Sequence, residues 1–128
     1  MQKTLIERAT FIVGKINLNG FKNNSSGEVS SALVTKKGNI YTGICIDIAC
    51  SMGFCAEHAA VAEMLKSRET EINMVVAVRK DGKVIPPCGR CREMMVQVNI
   101  SNLKTMVIVE KNLVLPLEKL LPHTWSTV

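Results

Sequence analysis

Aromatic residues are scarce: the chain holds three Phe, one Tyr and one Trp. So few flat side chains leave little on which to stack exposed bases, which argues against a single-stranded nucleic-acid platform. No apolar run approaches the ~20 residues of a bilayer span, so no membrane segment is expected. The opening Met1-Gln2-Lys3-Thr4-Leu5-Ile6-Glu7-Arg8 has neither the apolar core nor the small-residue cleavage site of a secretory signal. A cytoplasmic setting is therefore the expectation. Acidic residues are in the minority, eleven against sixteen Lys and Arg, giving a net charge of +5. That excess could suit an anionic partner. The basic residues are scattered from Lys3 to Lys119, however, and only Lys36-Lys37 and Arg79-Lys80 form pairs. The charge reads as solubility, and a nucleic-acid partner is not expected. Internal repeats, low-complexity tracts and long linkers are missing too.

What is present fits one domain over residues 1–128, long enough to bury a core without disulfides. The five cysteines, Cys45, Cys50, Cys55, Cys88 and Cys91, are odd in number. In reducing cytosol, metal binding or burial is their expected use.

Thr4 to Ile16 reads as a helix with Leu5, Ile6, Ala9, Ile12 and Val13 on one face. Residues 19–27, rich in Asn, Ser and Gly, read as a loop. Strands are expected over 28–35 and 40–48, joined by the turn Lys37-Gly38-Asn39. An irregular connection over 49–54 leads to a buried helix over 55–68, whose alanines favour that state. A strand over 73–78, the turn Asp81-Gly82 and the pair Pro86-Pro87 precede a helix over 88–98. Strands over 105–109 and 113–115 and a helix over 117–121 complete the pattern. Helices alternating with buried strands predict a three-layer α/β/α sandwich around a mixed sheet of about five strands.

Pro87-Cys88-Gly89-Arg90-Cys91 sets two thiols three residues apart, on one face of a helix at ~100° per residue. Two thiolates there can share a zinc ion, and a helix N-terminus favours the thiolate form. Pro87 suits a helix start. Alone, the pair would equally suit a redox couple or two ordinary thiols. Cys55-Ala56-Glu57 opens the preceding helix. Residues two apart diverge by ~200°, so Cys55 and Glu57 can approach one metal only if it lies over the helix end. Three sulfurs, one open position and a carboxylate describe a catalytic zinc. The competing arrangement is a closed structural site with Cys45, Cys50, His58 or His123 as fourth ligand.

Cys55-Ala56-Glu57 followed by Pro87-Cys88-Gly89-Arg90-Cys91 resembles the zinc-dependent cytidine deaminases of the three-cysteine type. Thr4-Leu5-Ile6-Glu7-Arg8-Ala9-Thr10, the run to Arg92, and Leu120-Leu121-Pro122 with Trp125 resemble blasticidin S deaminase-like members. The resemblance implies one zinc per chain on Cys55, Cys88 and Cys91, with Glu57 as proton shuttle. The implied reaction converts a 4-aminopyrimidine nucleoside to its 4-oxo product and ammonia. A homotetramer with sites near subunit boundaries is implied as well. Where such deaminases carry Asn-x-Glu to hold ribose, this chain has Cys45 and Asp47. Where they carry a base-stacking aromatic, it has Gly27. The loop over 49–54 is one residue shorter. His58 stands where an Arg usually bonds the thiolates, so His58, Arg90 or Arg92 is expected to offset the site's negative charge. Ser31, Ala56 and Trp125 join Cys45 and Asp47 as expected substrate contacts. Cys45 and Cys50 read as small buried hydrophobes, Phe54 as core, and Met74, Met94, Met95 and Met106 as core or interface residues.

Overall fold

The longest strand explains the layering. Ser25–Thr35 (β2) is buried along almost its whole length, as expected of a central strand covered on both faces. A computed structural model describes residues 1–126. It places α1 at Gln2–Ile12, β1 at Ile16–Asn17, β3 at Ile40–Asp47 and α2 at Ala56–Lys66. It continues with β4 at Ile72–Arg79, β5 at Val84–Ile85 and α3 at Gly89–Val98, then a 3-10 helix at Ile100–Lys104, β6 at Met106–Glu110, β7 at Leu113–Pro116 and α4 at Leu117–Leu120. Five strands run in the order β3-β2-β4-β6-β7, and the two-residue β1 and β5 pair with β2 and β4. Among the described residues, β4 and β6 are the only parallel pair; the other pairs are antiparallel. The sheet is mixed, as the sequence predicted.

Alternation along the strands divides the core in two. Leu33, Val75 and Val107 pack with Ala60, Val61 and Met64 of α2 and Met95 and Val96 of α3. Ala32, Val34, Val76, Val78 and Ile108 point the other way and receive Leu5 and Ala9 of α1. Helices thus cover both faces. Gly43 lets α2 press directly on β3: a Cβ there would lie 2.4 Å from the Ala60 nitrogen.

β5 and the 3-10 helix are absent from the sequence reading, the second helix ends at Lys66 rather than Arg68, and two departures lie near β2. The first helix stops at Ile12, not Ile16, because Gly14 weakens the helix and its N–H donates to Gly27 O at 2.8 Å. Ile16 and Asn17 then form β1. Residues 25–27, read as loop, belong to β2, where pairing with β1 and β3 offsets their low strand propensity. The register shifts between Ser26 and Ser30, and Gly27 adopts φ +87°, a conformation that favours glycine. Among the described residues, no helix is long and apolar enough to cross a membrane.

Candidate metal centre and active site

Two helix N-termini meet at one point. Cys55 is the residue before the first turn of α2, and Cys88 holds the same place on α3. Both are extended there, which turns each thiol over its helix end. Cys91 follows in the first turn of α3, and Glu57 in the first turn of α2. The approach to Cys55 is fixed by reciprocal backbone bonds between Ile46 and Phe54, both 3.0 Å. Gly53 makes that crossing feasible, since a Cβ would lie 2.3 Å from Ile46 O. On the other side, Arg92 Nε donates to Pro87 O at 2.8 Å and its Nη1 to Leu120 O at 3.1 Å. This ties the segment before α3 to the end of α4. Arg92 is thereby committed to backbone carbonyls rather than to the thiols.

Cys88 Sγ lies 3.5 Å from both Cys55 Sγ and Cys91 Sγ. A tetrahedral zinc with Zn–S near 2.3 Å needs sulfurs about 3.8 Å apart, so a few tenths of an ångström of adjustment admits the ion. His58 Nδ1 is 3.6 Å from Cys91 Sγ, and the ligand atoms of Cys55, His58 and Cys91 all lie within 4.8 Å of one another. The chemistry of the donors also asks for a cation. Burial first, then the Glu57 charge and the neighbouring thiols, push the Cys91 thiol far above its ordinary range. Burial raises Cys88 as well. There the backbone N–H groups of Cys91 and Arg90 and the adjacent thiols outweigh it and hold Cys88 below its ordinary value. A divalent metal supplies the positive charge that lets all three become thiolates.

A cavity of about 970 Å³ opens beside these groups, lined by Cys55, Ala56, Glu57, Cys88 and Arg90, with Cys45 and Asp47 on β3. Glu57 is 4% exposed, and burial raises its carboxyl above the usual range. His58 is outside this cavity. It lines a separate groove with Arg90, Glu93 and Met94, and burial followed by the Arg90 charge lowers its pKa. Of the other fourth donors weighed, Cys45 Sγ accepts from Val29 N and donates to Asp47 Oδ2, both at 3.4 Å. Cys50 is exposed, a correction to its reading as a buried hydrophobe: it sits at φ +63° in a turn and packs in neither core. His123 is exposed and outside the donor group.

Ser31 and Trp125 are not brought to the cavity. Ser31 is fully buried, and its hydroxyl donates to Val76 O at 2.8 Å. Trp125 is 82% exposed, with its backbone N–H on Glu93 Oε1. Phe54 also departs from the sequence reading. It lines the cavity and belongs to neither core cluster. Sequence reasoning missed Lys22, Asn23 and Asn24 on the same wall; no spacing or motif marked them.

Fold and donor set define a zinc-binding domain of the α/β/α class, with a carboxylate beside the metal and a cavity over it. The family model for the cytidine and deoxycytidylate deaminase zinc-binding region matches residues 7–107, and the chain belongs to that family. A cytidine deaminase of Halalkalibacterium halodurans is 30% identical over 73 residues, 56% of this chain and 54% of the relative. The match thus spans about half of that relative's length. Among solved structures, the cytidine deaminase of Mycobacterium tuberculosis superposes with a TM-score of 0.78 at 21% identity, covering 97% of this chain and 96% of that one. That of Burkholderia pseudomallei gives 0.77 at 24%, covering 98% and 99%. At those identities the likeness is one of fold.

Proposed function

We propose that the chain deaminates a cytosine-type nucleoside by hydrolysis, converting cytidine or deoxycytidine to uridine or deoxyuridine and ammonia. The observation that carries this reading is the buried Glu57 carboxyl facing the same cavity as the Cys55 and Cys88 thiols. Cys55, Cys88 and Cys91 would hold one zinc per chain. Zinc, when bound, makes water a competent nucleophile near neutral pH. As the water oxygen bonds to carbon 4, Glu57 would take its first proton and pass it to the ring nitrogen. As the carbon–amine bond breaks, Glu57 would take the second proton from the new hydroxyl and deliver it to the departing amine, leaving the 4-oxo ring and ammonia. Its raised pKa suits a group that must both accept and return protons. Ala56, beside it in α2, lines the floor on which the ring edge would rest.

On the sugar side, Asp47 offers a carboxylate to a hydroxyl. The Cys45 thiol, already bonded to Val29 N and Asp47, holds that carboxylate in place rather than contacting substrate itself. A modified cytosine nucleoside such as blasticidin S is the alternative best substrate. Arg90, between cavity and groove, is the charge-compensating group we favour; His58, whose charged form burial and Arg90 disfavour, would be a neutral hydrogen-bond partner of Cys91 through Nδ1. A cytoplasmic location and a homotetramer belong to the same reading; the exposure of Phe11, Phe21 and Trp125 on the single chain supports burial of those rings in an assembly.

One observation favours a second reading. His58 forms a donor group with Cys55 and Cys91, their ligand atoms all within 4.8 Å of one another, which would make a histidine-containing, non-catalytic zinc site. The buried Glu57 carboxyl facing the cavity beside Cys55 and Cys88 weighs against this, since a closed structural site has no use for it. Ammonia release from cytidine, deoxycytidine, cytosine and blasticidin S by the zinc-loaded protein separates the two. Release from at least one is expected, and release from none leaves the closed site.

A further inference from the structure

A substrate whose reacting part is a flat heterocycle needs a flat wall close to the metal donors. The described lining of the cavity contains one aromatic ring, Phe54. It immediately precedes Cys55, so its ring is tethered one residue from a sulfur of the metal centre. The reciprocal bonds to Ile46 fix its backbone from both sides. Antiparallel partners place their side chains on the same side, and Ile46 lines the cavity as well. The two therefore form one apolar face. Phe54 is half-buried and is missing from both clusters that hold the sheet to its helices. A large apolar ring kept out of the core and turned to a cavity is available for a ligand. Strand β2 offers no competing ring: Gly27 is pinned at φ +87°, and a Cβ on it would meet Gly14 O at 2.1 Å.

We infer that Phe54 is the residue on which the pyrimidine ring stacks, and so sets how tightly a cytosine-type substrate is held over the metal. This rests on the deaminase reading and adds to it the group that binds the base. Phe54 is a binding residue; the bond-breaking steps do not pass through it. Its removal should raise KM with little change in kcat per bound zinc.

The experiment measures cytidine binding to zinc-loaded Glu57→Gln, which should bind without turning substrate over, and to the same protein carrying Phe54→Leu or Phe54→Tyr. Stacking on one ring is worth roughly 5- to 10-fold in affinity, so Phe54→Leu should weaken binding by about that factor at unchanged zinc content. Phe54→Tyr should stay within about threefold, because it keeps the ring. The parent protein provides a measurement that needs no substitution of the ring. Protons 5 and 6 of bound cytidine should shift upfield under the ring of Phe54. Equal affinity in the Leu and Phe proteins, or no upfield shift in a complex that forms, overturns the inference while leaving the deaminase reading intact. Failure of the parent to bind cytidine, together with no ammonia from the wild-type protein, overturns both.

Discussion

Glu57 sits in the first turn of α2 with its carboxyl withdrawn from water, and burial raises its pKa. A buried carboxyl without a paired cation is costly, and here it lies beside the thiols proposed to hold the zinc. Glu57→Gln removes the proton carrier while keeping size and shape. Zinc content by elemental analysis should be unchanged, and ammonia release should fall at least ~10²-fold. Turnover near wild type would remove Glu57 from the proposed role. The spacings Cys55-x-Glu57 and Cys88-x-x-Cys91 made this cluster legible in the sequence, because ligand chemistry dictates residue type and helix geometry dictates interval. Ser31 and Phe54 were harder. Whether a strand serine turns to a cavity or to Val76 O depends on the neighbouring strand β4. Phe54 faces the cavity because of its bridge to Ile46, which no local pattern announces.

At the scale of elements, the hairpin of β2 and β3 is fastened to the turn after α2 by Glu69. Hydrogen bonds from Thr35, Tyr41 and Asn39 hold its carboxyl below the ordinary value of 4.5. Tyr41 OH donates at 2.5 Å and Asn39 Nδ2 at 2.9 Å. The folded chain thus binds this proton less tightly than the unfolded one. The contact therefore adds stability at neutral pH, which is lost as pH falls below the ordinary value and through the folded one. Glu69→Gln should lower Tm at pH 7, and the gap to wild type should close as pH is lowered, read by thermal unfolding across the acid range. A gap that is constant with pH would show that the charge of Glu69 does not matter. The elements themselves were largely legible, since buried strands and an alanine-rich helix carry strong patterns. Short elements such as β5 and the 3-10 helix were missed, and the larger errors fell at Gly14 and residues 25–27. There a non-local bond between Gly14 and Gly27, and pairing with β1 and β3, overrode local composition.

At the scale of the whole molecule, the proposed zinc ligands lie at the starts of α2 and α3, so a bound ion would tie the two helices together. Removing the metal leaves three clustered thiols and should lower Tm; Cys91→Ala should do the same and abolish zinc retention. Full zinc occupancy in that variant would remove the centre as drawn. Assembly is the remaining whole-molecule question. Phe11 is 89% exposed, Phe21 75% and Trp125 82%, with Ile16 at 52%. Three of the five aromatic residues of a small, charged protein therefore stand in water. Scattered apolar residues are ordinary on a surface, but aromatics are the side chains whose exposure is least favourable and whose burial between subunits contributes most. Light scattering on the zinc-loaded protein should give a mass four times that of the 14.1 kDa chain. Phe11→Ser with Phe21→Ser should shift that mass downward and reduce ammonia release with it, if sites lie near subunit boundaries. A wild-type protein that is monomeric, stable and fully active would show that the exposed rings serve no assembly and that the cavity of one chain is sufficient for the reaction.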